Sequence, residues 1–162
     1  MIDKDKFCEL IRANEKAMYS LAYSLVKNDN DAADVIGETI LRAYKNIGTL
    51  KSEDAFKTWL LKIVYNTAVE FIRKESKVIP MEEVEVTSTK TEHSIETKLA
   101  LKEAVESLKQ PYRTVITLFY YEDLPINEIS KITNTTTISV KQQLSRARKQ
   151  LREILREDFN NE

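Results

Sequence analysis

The residues best suited to binding chemistry in this 162-residue chain are basic and amide side chains near its end. Residues 141–156 include six Lys and Arg side chains and a single acidic one, Glu153, which gives the segment a local net charge of +5. A nucleic acid would be attracted to this charge through its phosphates. A solvated helical face can have the same composition, so the charge alone leaves both interpretations open.

The spacing of apolar residues divides this segment into two faces. At about 100° per residue, one side of a helix would carry the apolar side chains and the opposite side four polar ones. The apolar set is Val140, Leu144, Ala147 and Leu151, and the polar set is Ser139, Gln142, Arg146 and Lys149. Gln and Arg are long donors that reach base edges in the major groove, and Lys neutralises neighbouring phosphates. The polar set is therefore predicted to bind duplex DNA.

The residues before this helix predict how it is positioned. Ile126, Ile129 and Ile132 indicate a short helix, and the polar run 133–137 separates it from the final one. A short helix, a tight turn and a helix with a basic face form a helix-turn-helix. We expect Asn134 to adopt the left-handed backbone conformation that such turns often require, because Asn tolerates it better than most residues. A plain helical hairpin that packs on a partner is the alternative.

A second candidate nucleic-acid surface lies in the first half of the chain. Lys62, Asn66 and Arg73 project from a helical face next to an apolar stripe, with Trp59 at its border. Cationic and amide groups beside an aromatic ring suit single-stranded nucleic acid, which is bound through stacking and phosphate contacts. A solvated face is the alternative for the polar residues, and a place in the core is the alternative for Trp59.

A third candidate surface is acidic and lies on the helix before that one. Asp34, Glu38 and Leu41 fall together on the side opposite the predicted apolar stripe. A leucine among acidic neighbours suits docking on a basic partner. Because single exposed leucines are common on protein surfaces, an ordinary solvated face is the alternative.

The elements that must position these residues are predicted to be helices. The chain has only 2 Gly and 3 Pro, which are the residues that favour turns. Apolar spacing predicts helices over residues 4–26, 31–47 and 52–74, and four more in the second half. We therefore predict an all-α protein with two small helical domains, 1–76 and 94–162, joined by an acidic, flexible linker, 77–93. A short strand through Val84 and Val86 is the alternative for part of that linker.

Composition excludes several other classes of function. The single cysteine, Cys8, cannot form an internal disulfide, and the single histidine, His93, cannot build a His/Cys metal cluster or most catalytic triads. No convergent acid, base or metal-binding spacing is present, so we expect neither an enzyme nor a cofactor. The chain has no signal-peptide core and no apolar run of membrane-spanning length, which predicts a cytoplasmic protein without membrane insertion.

Taken together, these segments resemble a known family. The stretch from Asp31 to Ile47 (DAADVIGETILRAYKNI) and FKTWLLKIVYN from Phe56 are similar to the promoter-melting domain of bacterial extracytoplasmic-function (ECF) sigma factors. PYRTVI from Pro111, EIS from Glu128 and VKQQLSRARKQL from Val140 are similar to the second DNA-binding domain of that family. The resemblance covers nearly the whole chain outside the linker, in the order that the family has.

The resemblance implies a role for each candidate surface. Asp34, Glu38 and Leu41 would dock on the clamp helices of core RNA polymerase. Asn66 with its neighbours, and the loop 48–55, would hold bases of the melted minus-ten strand. The last helix would bind the minus-thirty-five element of promoter DNA as a duplex through Lys141, Gln142 and Arg146. Gln143 is also included among the predicted duplex-binding residues, and Gln142 and Gln143 stand where the family usually has Ser and Arg.

The resemblance also implies regulation and leaves one other class open. It implies a stress-response sigma factor controlled by an anti-sigma factor, which could hold the protein at the membrane. A helix-turn-helix repressor or activator without a sigma role is the alternative, because it would use the second domain in the same way. Such a repressor is expected to dimerise on a palindromic site.

Overall fold

The computed structural model of the chain describes residues 2–77 and 97–160. Every regular element in these two ranges is a helix, which confirms the predicted all-α fold. The linker prediction, residue 77 apart, and the alternative strand through Val84 and Val86 lie outside the described residues. We call residues 2–77 the first half and residues 97–160 the second half.

The first half contains four α-helices among its described residues. They are α1 (Lys4–Ala13), α2 (Glu15–Val26), α3 (Asp29–Lys45) and α4 (Phe56–Lys77). Two short 3-10 turns, Ile47–Thr49 and Glu53–Ala55, connect α3 to α4. The core lies where α2 packs against α3 and α4, and its fully buried side chains include Met18, Leu21, Val35, Phe56 and Leu60.

The prediction of one helix over residues 4–26 is wrong, because the helix breaks at Asn14. The Asn14 backbone leaves the helical region, with φ −111° and ψ 11°, and its side-chain Nδ2 donates to the Leu10 carbonyl at 2.8 Å. Asn competes in this way for carbonyl oxygens that a continuing helix would use. The helical spacing of the apolar residues continues across Asn14. Periodicity therefore did not indicate the break.

The second half contains α5 (Thr97–Ser107), α6 (Tyr112–Ile116), α7 (Ile126–Ile132) and α8 (Thr137–Asn160). A π-helical turn, Thr117–Tyr121, continues α6. The apolar face of α8 is buried against α6 and α7, as the spacing predicted: Val140, Leu144 and Ala147 are at most 1% exposed. This burial leaves the opposite face of α8 available to a partner.

The two halves contact each other through a buried arginine. The last turn of α2 leaves the Ser24 carbonyl without a helical partner, and Arg113 Nε donates to it at 2.5 Å. Arg113 Nη1 also donates to the Leu108 carbonyl, just beyond the end of α5, at 2.7 Å. One guanidinium, 9% exposed, therefore stabilises the negative C-terminal ends of two helices from different halves.

Polar side chains around Arg113 extend the contact between the halves. Gln110 Nε2 donates to the same Ser24 carbonyl at 2.7 Å and to Thr114 Oγ1 at 2.8 Å. The Thr114 and Ser24 hydroxyl oxygens lie 3.0 Å apart. Because the Ser24 hydroxyl donates to the Leu21 carbonyl at 2.7 Å, Thr114 is the donor in that pair. The contact is thus a connected hydrogen-bond network.

Candidate nucleic-acid interface

The turn between α7 and α8 fixes the orientation of the last helix. Asn134 has φ 56°, which confirms the predicted left-handed conformation. The Thr135 N–H donates to the Ser130 carbonyl at 3.0 Å, so α7 ends in a Schellman motif. Thr136 then caps α8, because its Oγ1 accepts from the Ser139 N–H at 3.1 Å. The two helices of the predicted helix-turn-helix are therefore held by well-defined terminal hydrogen bonds.

The outward face of α8 presents most of the predicted duplex-binding residues together. Lys141, Gln142, Arg146 and Lys149 are all exposed. Ser139 is half-buried, and its hydroxyl accepts from Thr136 Oγ1 at 3.0 Å. The face therefore combines one long amide with three cations, which suits base edges and phosphates.

Gln143 lies apart from this face. Its side chain is half-buried and lines a cavity of about 290 Å³ between the two halves, together with Tyr65 and Val69 of α4 and Pro111 and Val115 of the second half. The Gln143 Oε1 atom is buried and has no hydrogen-bond partner. In this arrangement of the halves Gln143 therefore faces α4, and the outward face of α8 lacks it.

Arg148 belongs to the basic segment 141–156, but its side chain contacts other residues of the protein. Its Nε donates to the Tyr120 hydroxyl at 2.6 Å, and its guanidinium lies 5.5 Å from the centre of the Phe119 ring. Hydrogen bonding and cation–π contact hold the side chain on the flank of α8. Sequence analysis treated this arginine only as one of the six basic residues of the segment. The neighbouring aromatic residues Phe119 and Tyr120 were the one feature of the sequence that could have indicated a partner for it.

The predicted single-strand surface lies along α4. Lys62, Asn66 and Arg73 are exposed, whereas Trp59 is half-buried. The Trp59 ring packs 5.6 Å from the Phe56 ring, and its Nε1 donates to Thr49 Oγ1 at 3.1 Å. Trp59 therefore connects α4 to the loop before it while keeping part of its ring exposed.

That loop forms a wide cavity with the start of the chain. The cavity has a volume of about 630 Å³ and is lined by residues 47, 48 and 50–53 of the loop and by Ile2, Asp3 and Lys6. Lys6 of α1 holds the loop through an ion pair with Glu53, with 3.0 Å between Nζ and Oε1. This pair raises the pKa of Lys6. The N-terminal part of α1 thus forms one wall of the cavity beside the predicted base-holding loop 48–55. The sequence did not indicate this contribution of α1.

Asn66 of the single-strand surface contacts the turn of the helix-turn-helix. Its Oδ1 accepts a hydrogen bond from Asn134 Nδ2 at 2.9 Å. The structure therefore brings a predicted strand-binding residue and the turn before α8 together. The two candidate DNA surfaces are adjacent in this arrangement of the halves.

The predicted acidic docking face on α3 is exposed. Asp34, Glu38 and Leu41 share this side, and Leu41 is 59% exposed. Glu38 pairs with Arg42 at 3.1 Å, and Arg42 also reaches Glu70 of α4. Tyr44, three residues after Leu41, is exposed as well and extends the apolar part of the face. The three-residue spacing from Leu41 to Tyr44 could have indicated that Tyr44 belongs to this exposed face.

The part of the chain that the structure describes has neither a metal-binding cluster nor a membrane-spanning helix. In these residues no group of three or more His, Cys, Asp and Glu side chains could hold a metal ion. None of the helices described is long and apolar enough to cross a membrane.

Comparison with known proteins identifies the family. Residues 10–78 match the family model for Sigma-70 region 2, and residues 98–151 match the one for Sigma-70, region 4. RNA polymerase sigma factor SigV of Bacillus subtilis (strain 168) is 35% identical, over 93% of this chain and 92% of its own. ECF RNA polymerase sigma factor SigW of the same organism is 30% identical, over 96% and 91%. The chain belongs to the ECF RNA polymerase sigma factors.

Solved structures of the same fold agree with this assignment. The sigma factor RpoE from Bartonella quintana, in complex with the anti-sigma factor NepR, matches with a TM-score of 0.74 and 23% identity, over 95% of this chain and 98% of that one. CnrH, in complex with the cytosolic domain of CnrY, matches with a TM-score of 0.70 and 19% identity, over 96% and 91%. These matches show that the helical arrangement is that of the sigma-factor fold.

The family assignment confirms the function that the resemblance implies. As an ECF sigma factor, the chain directs core RNA polymerase to promoters and initiates transcription. Sigma factors are initiation factors and not enzymes. The assignment also favours the sigma-factor hypothesis over a helix-turn-helix repressor that would act without polymerase.

Proposed function

We propose that α8 binds the upstream, minus-thirty-five element of the promoter in the major groove. The observation that supports this most is the separation of its two faces: the apolar side is fully buried, and the outward side is exposed, basic and amide-bearing. Gln142 and Arg146 would contact base edges or phosphates. Ser139, Lys141 and Lys149 would contact the backbone, and Gln143, which faces α4 while the halves are in contact, would become available to DNA only after they separate.

We propose that α4 and the loop 48–55 hold the unpaired minus-ten strand. The exposed part of the Trp59 ring can stack on a base, Asn66 can hydrogen-bond to a base edge, and Lys62 and Arg73 can contact phosphates. Capturing a base costs unstacking of a few kcal/mol, which stacking and hydrogen bonds in the pocket offset. The wide cavity beside the loop has room for such a base.

We propose that the face formed by Asp34, Glu38 and Leu41 docks on a basic surface of core RNA polymerase. Exposed carboxylates around an exposed leucine provide both electrostatic attraction and an apolar contact. Because Glu38 is partly neutralised by Arg42, Asp34 is the carboxylate with the larger expected effect. In this proposal residues 1–76 form the docking and strand-binding domain and residues 94–162 the upstream DNA-binding domain, joined by the linker 77–93.

The two halves would have to separate for both DNA surfaces to act at once. The minus-ten and minus-thirty-five elements are separate segments of the promoter, so the two DNA surfaces would have to reach two places on the DNA at once. Asn66 and Asn134, one from each DNA surface, are hydrogen-bonded at 2.9 Å. We expect this contact to break when both elements are bound. We propose that binding to core polymerase replaces the contact between the halves.

Regulation and location are also part of the proposal. Sigma factors of the same fold have been solved in complex with the anti-sigma factor NepR and with the cytosolic domain of CnrY. We propose that an anti-sigma factor likewise binds this chain and prevents it from binding polymerase. We propose further that the chain lies in the cytoplasm, where the anti-sigma factor can hold it at the membrane.

The experiment that tests the docking and strand-binding proposals uses the full chain with core RNA polymerase. Asp34→Lys combined with Glu38→Lys should abolish the gain in promoter affinity that core polymerase provides, because two charges that attract a basic surface become repulsive. Asp5→Lys with Glu15→Lys makes the same charge change on α1 and α2 and should leave the gain intact. Fluorescence anisotropy of a labelled promoter measures both. Equal loss in the two double variants would refute the docking face.

The same complexes test strand binding through a second readout. Asn66→Ala should preserve polymerase binding and the upstream footprint but reduce permanganate reactivity of promoter thymines, because the residue is proposed to contact an unpaired base. Asn30→Ala, an exposed position on α3, is the matched control. Wild-type reactivity in the Asn66 variant would remove this residue from the site.

A further inference from the structure

One large apolar side chain, Ile138, lies on the outward face of α8 that is proposed to bind DNA. Ile138 is 68% exposed, more than any other large apolar side chain in the described part of the chain. It lies in the first turn of α8, between the capping residue Thr136 and the fully buried Val140. Isoleucine is only a moderate helix former, so local helix stability does not explain its presence at this position.

The helical repeat places Ile138 in the centre of the outward face. At about 100° per residue, Ile138, Gln142, Ser145 and Lys149 fall within an arc of about 60°. The buried residues Val140, Leu144 and Ala147 occupy the opposite side. Ile138 therefore precedes Gln142 by one turn on the line of α8 that would lie deepest in the major groove. It is also at the N-terminal end, which is where recognition helices contact base edges.

We propose that Ile138 contacts the C5 methyl group of a thymine in the upstream element. Thymine is the one base that presents a methyl group in the major groove, and apolar side chains contact it there. The branched Cβ of isoleucine restricts its χ1 angle, so its methyl groups are held in place before binding. This inference rests on the proposed binding of α8 to duplex DNA and adds a preference for one base at one position.

The surroundings favour DNA over a protein as the partner of Ile138. Lys141, Arg146 and Lys149 are exposed along the same outward side of α8, and an apolar protein surface that covered this side would have to bury these cations without compensation. A DNA groove provides phosphates for the cations and a methyl group for the isoleucine at the same time. One apolar side chain on an otherwise cationic face thus matches the major groove.

The test uses the full chain assembled with core RNA polymerase. Promoter duplexes with a randomised upstream element are selected by the wild-type complex and by the Ile138→Ala complex. The wild type should enrich a thymine at one position, and the variant should lose that enrichment. Replacing this thymine by deoxyuridine removes only the C5 methyl group. It should weaken wild-type binding about fourfold, the value expected for one buried carbon, and leave the Ile138→Ala complex unchanged.

Three results would overturn the inference. One is a selected element in which no thymine responds to deoxyuridine replacement. Another is equal sensitivity of the wild type and the variant to that replacement. The third is a variant whose affinity for core polymerase falls, because Ile138 would then contact protein. Failure of the underlying proposal has a different signature: the wild-type complex would enrich no upstream sequence, and Arg146→Ala would leave the footprint unchanged.

Discussion

Replacing Arg113 should weaken both the stability of the protein and the contact between its halves. The guanidinium donates to the Ser24 carbonyl of the first half and to the Leu108 carbonyl of the second. Its burial lowers its pKa, so some of the interaction energy already offsets desolvation. Arg113→Met keeps a long apolar side chain in the space and removes both donors. The Leu108 carbonyl then loses the partner that the guanidinium provided, whereas Ser24 keeps Gln110.

The magnitude follows from the two hydrogen bonds. A hydrogen bond from a charged donor contributes about 1.5–3 kcal/mol, so the pair contributes about 3–6 kcal/mol before the recovered desolvation is subtracted. We expect the free energy of unfolding to fall by about 2–4 kcal/mol. Of the two Arg113 bonds, only the one to Ser24 joins the halves. Taken as half of that discounted value, about 1–2 kcal/mol, its loss should shift the equilibrium between contacting and separated halves toward separation by about 5- to 30-fold, at tenfold per 1.4 kcal/mol.

Two measurements check these values. Urea unfolding gives the loss of stability, and energy transfer between dyes gives the separation of the halves. The dyes are attached at Lys16→Cys and Glu153→Cys, in a background where Cys8 is Ser. Transfer should fall in the Arg113→Met protein.

The matched control is Arg148→Met, which removes an exposed arginine from α8 and should cost less than about 1 kcal/mol without changing transfer. Wild-type transfer efficiency in the Arg113 variant would show that this arginine does not hold the halves together.

Three further predictions concern the second half. Gln142→Ala should relax base preference at one position of the upstream element, at a cost of about 1–3 kcal/mol, whereas Arg146→Ala, if it contacts phosphate, should weaken all sequences alike and flatten the salt dependence. Quantitative footprinting at several salt concentrations separates these patterns. Asn134→Ala should cost about 1–2 kcal/mol of stability because φ is 56°, and Asn134→Gly should cost less; urea midpoints with unchanged slopes decide this. Burial raises the pKa of Glu122, so the folded state favours its protonated form and loses stability as pH rises through that pKa. Glu122→Gln should therefore gain stability relative to the wild type between pH 4 and pH 7, and an unchanged difference across that range would contradict the assignment.

Periodicity predicted the parts of the site that depend on local spacing. The buried and exposed faces of α8 and the exposed face of α3 follow from residues within a few turns of each other, and the left-handed Asn134 follows from its residue type in the turn. The break at Asn14 did not follow, because a side chain that captures one carbonyl leaves the apolar spacing intact. Helical spacing is thus a good guide to which face is buried and a poor guide to where a helix is interrupted.

The contact between the halves was not predictable for a different physical reason. Arg113 binds a backbone carbonyl 89 residues away, and every residue type has such a carbonyl. Gln143 was assigned to DNA because the resemblance places it on the DNA-binding helix α8, where the family usually has Arg. The surface that covers it comes from α4, at a distance that helical spacing cannot indicate. Contacts between surfaces that are far apart in the sequence cannot be predicted from helical spacing, and only the structure identifies them.

The chemistry of the contact between the halves suits a contact that opens. Its hydrogen bonds join a helix-end carbonyl, two hydroxyls, an amide and the Arg113 guanidinium, all groups that water can satisfy when the halves separate. The apolar residues between the halves, including Leu25, Val69 and Val115, line a cavity of about 290 Å³. This cavity removes some dispersion contacts that close packing would provide at that place. Elsewhere the halves do pack, because α4 lies against α7 and α2 against α6, and the buried apolar residues of both halves form one cluster. A partner such as core polymerase would therefore have to replace both the hydrogen bonds and part of this apolar packing to separate the two DNA surfaces.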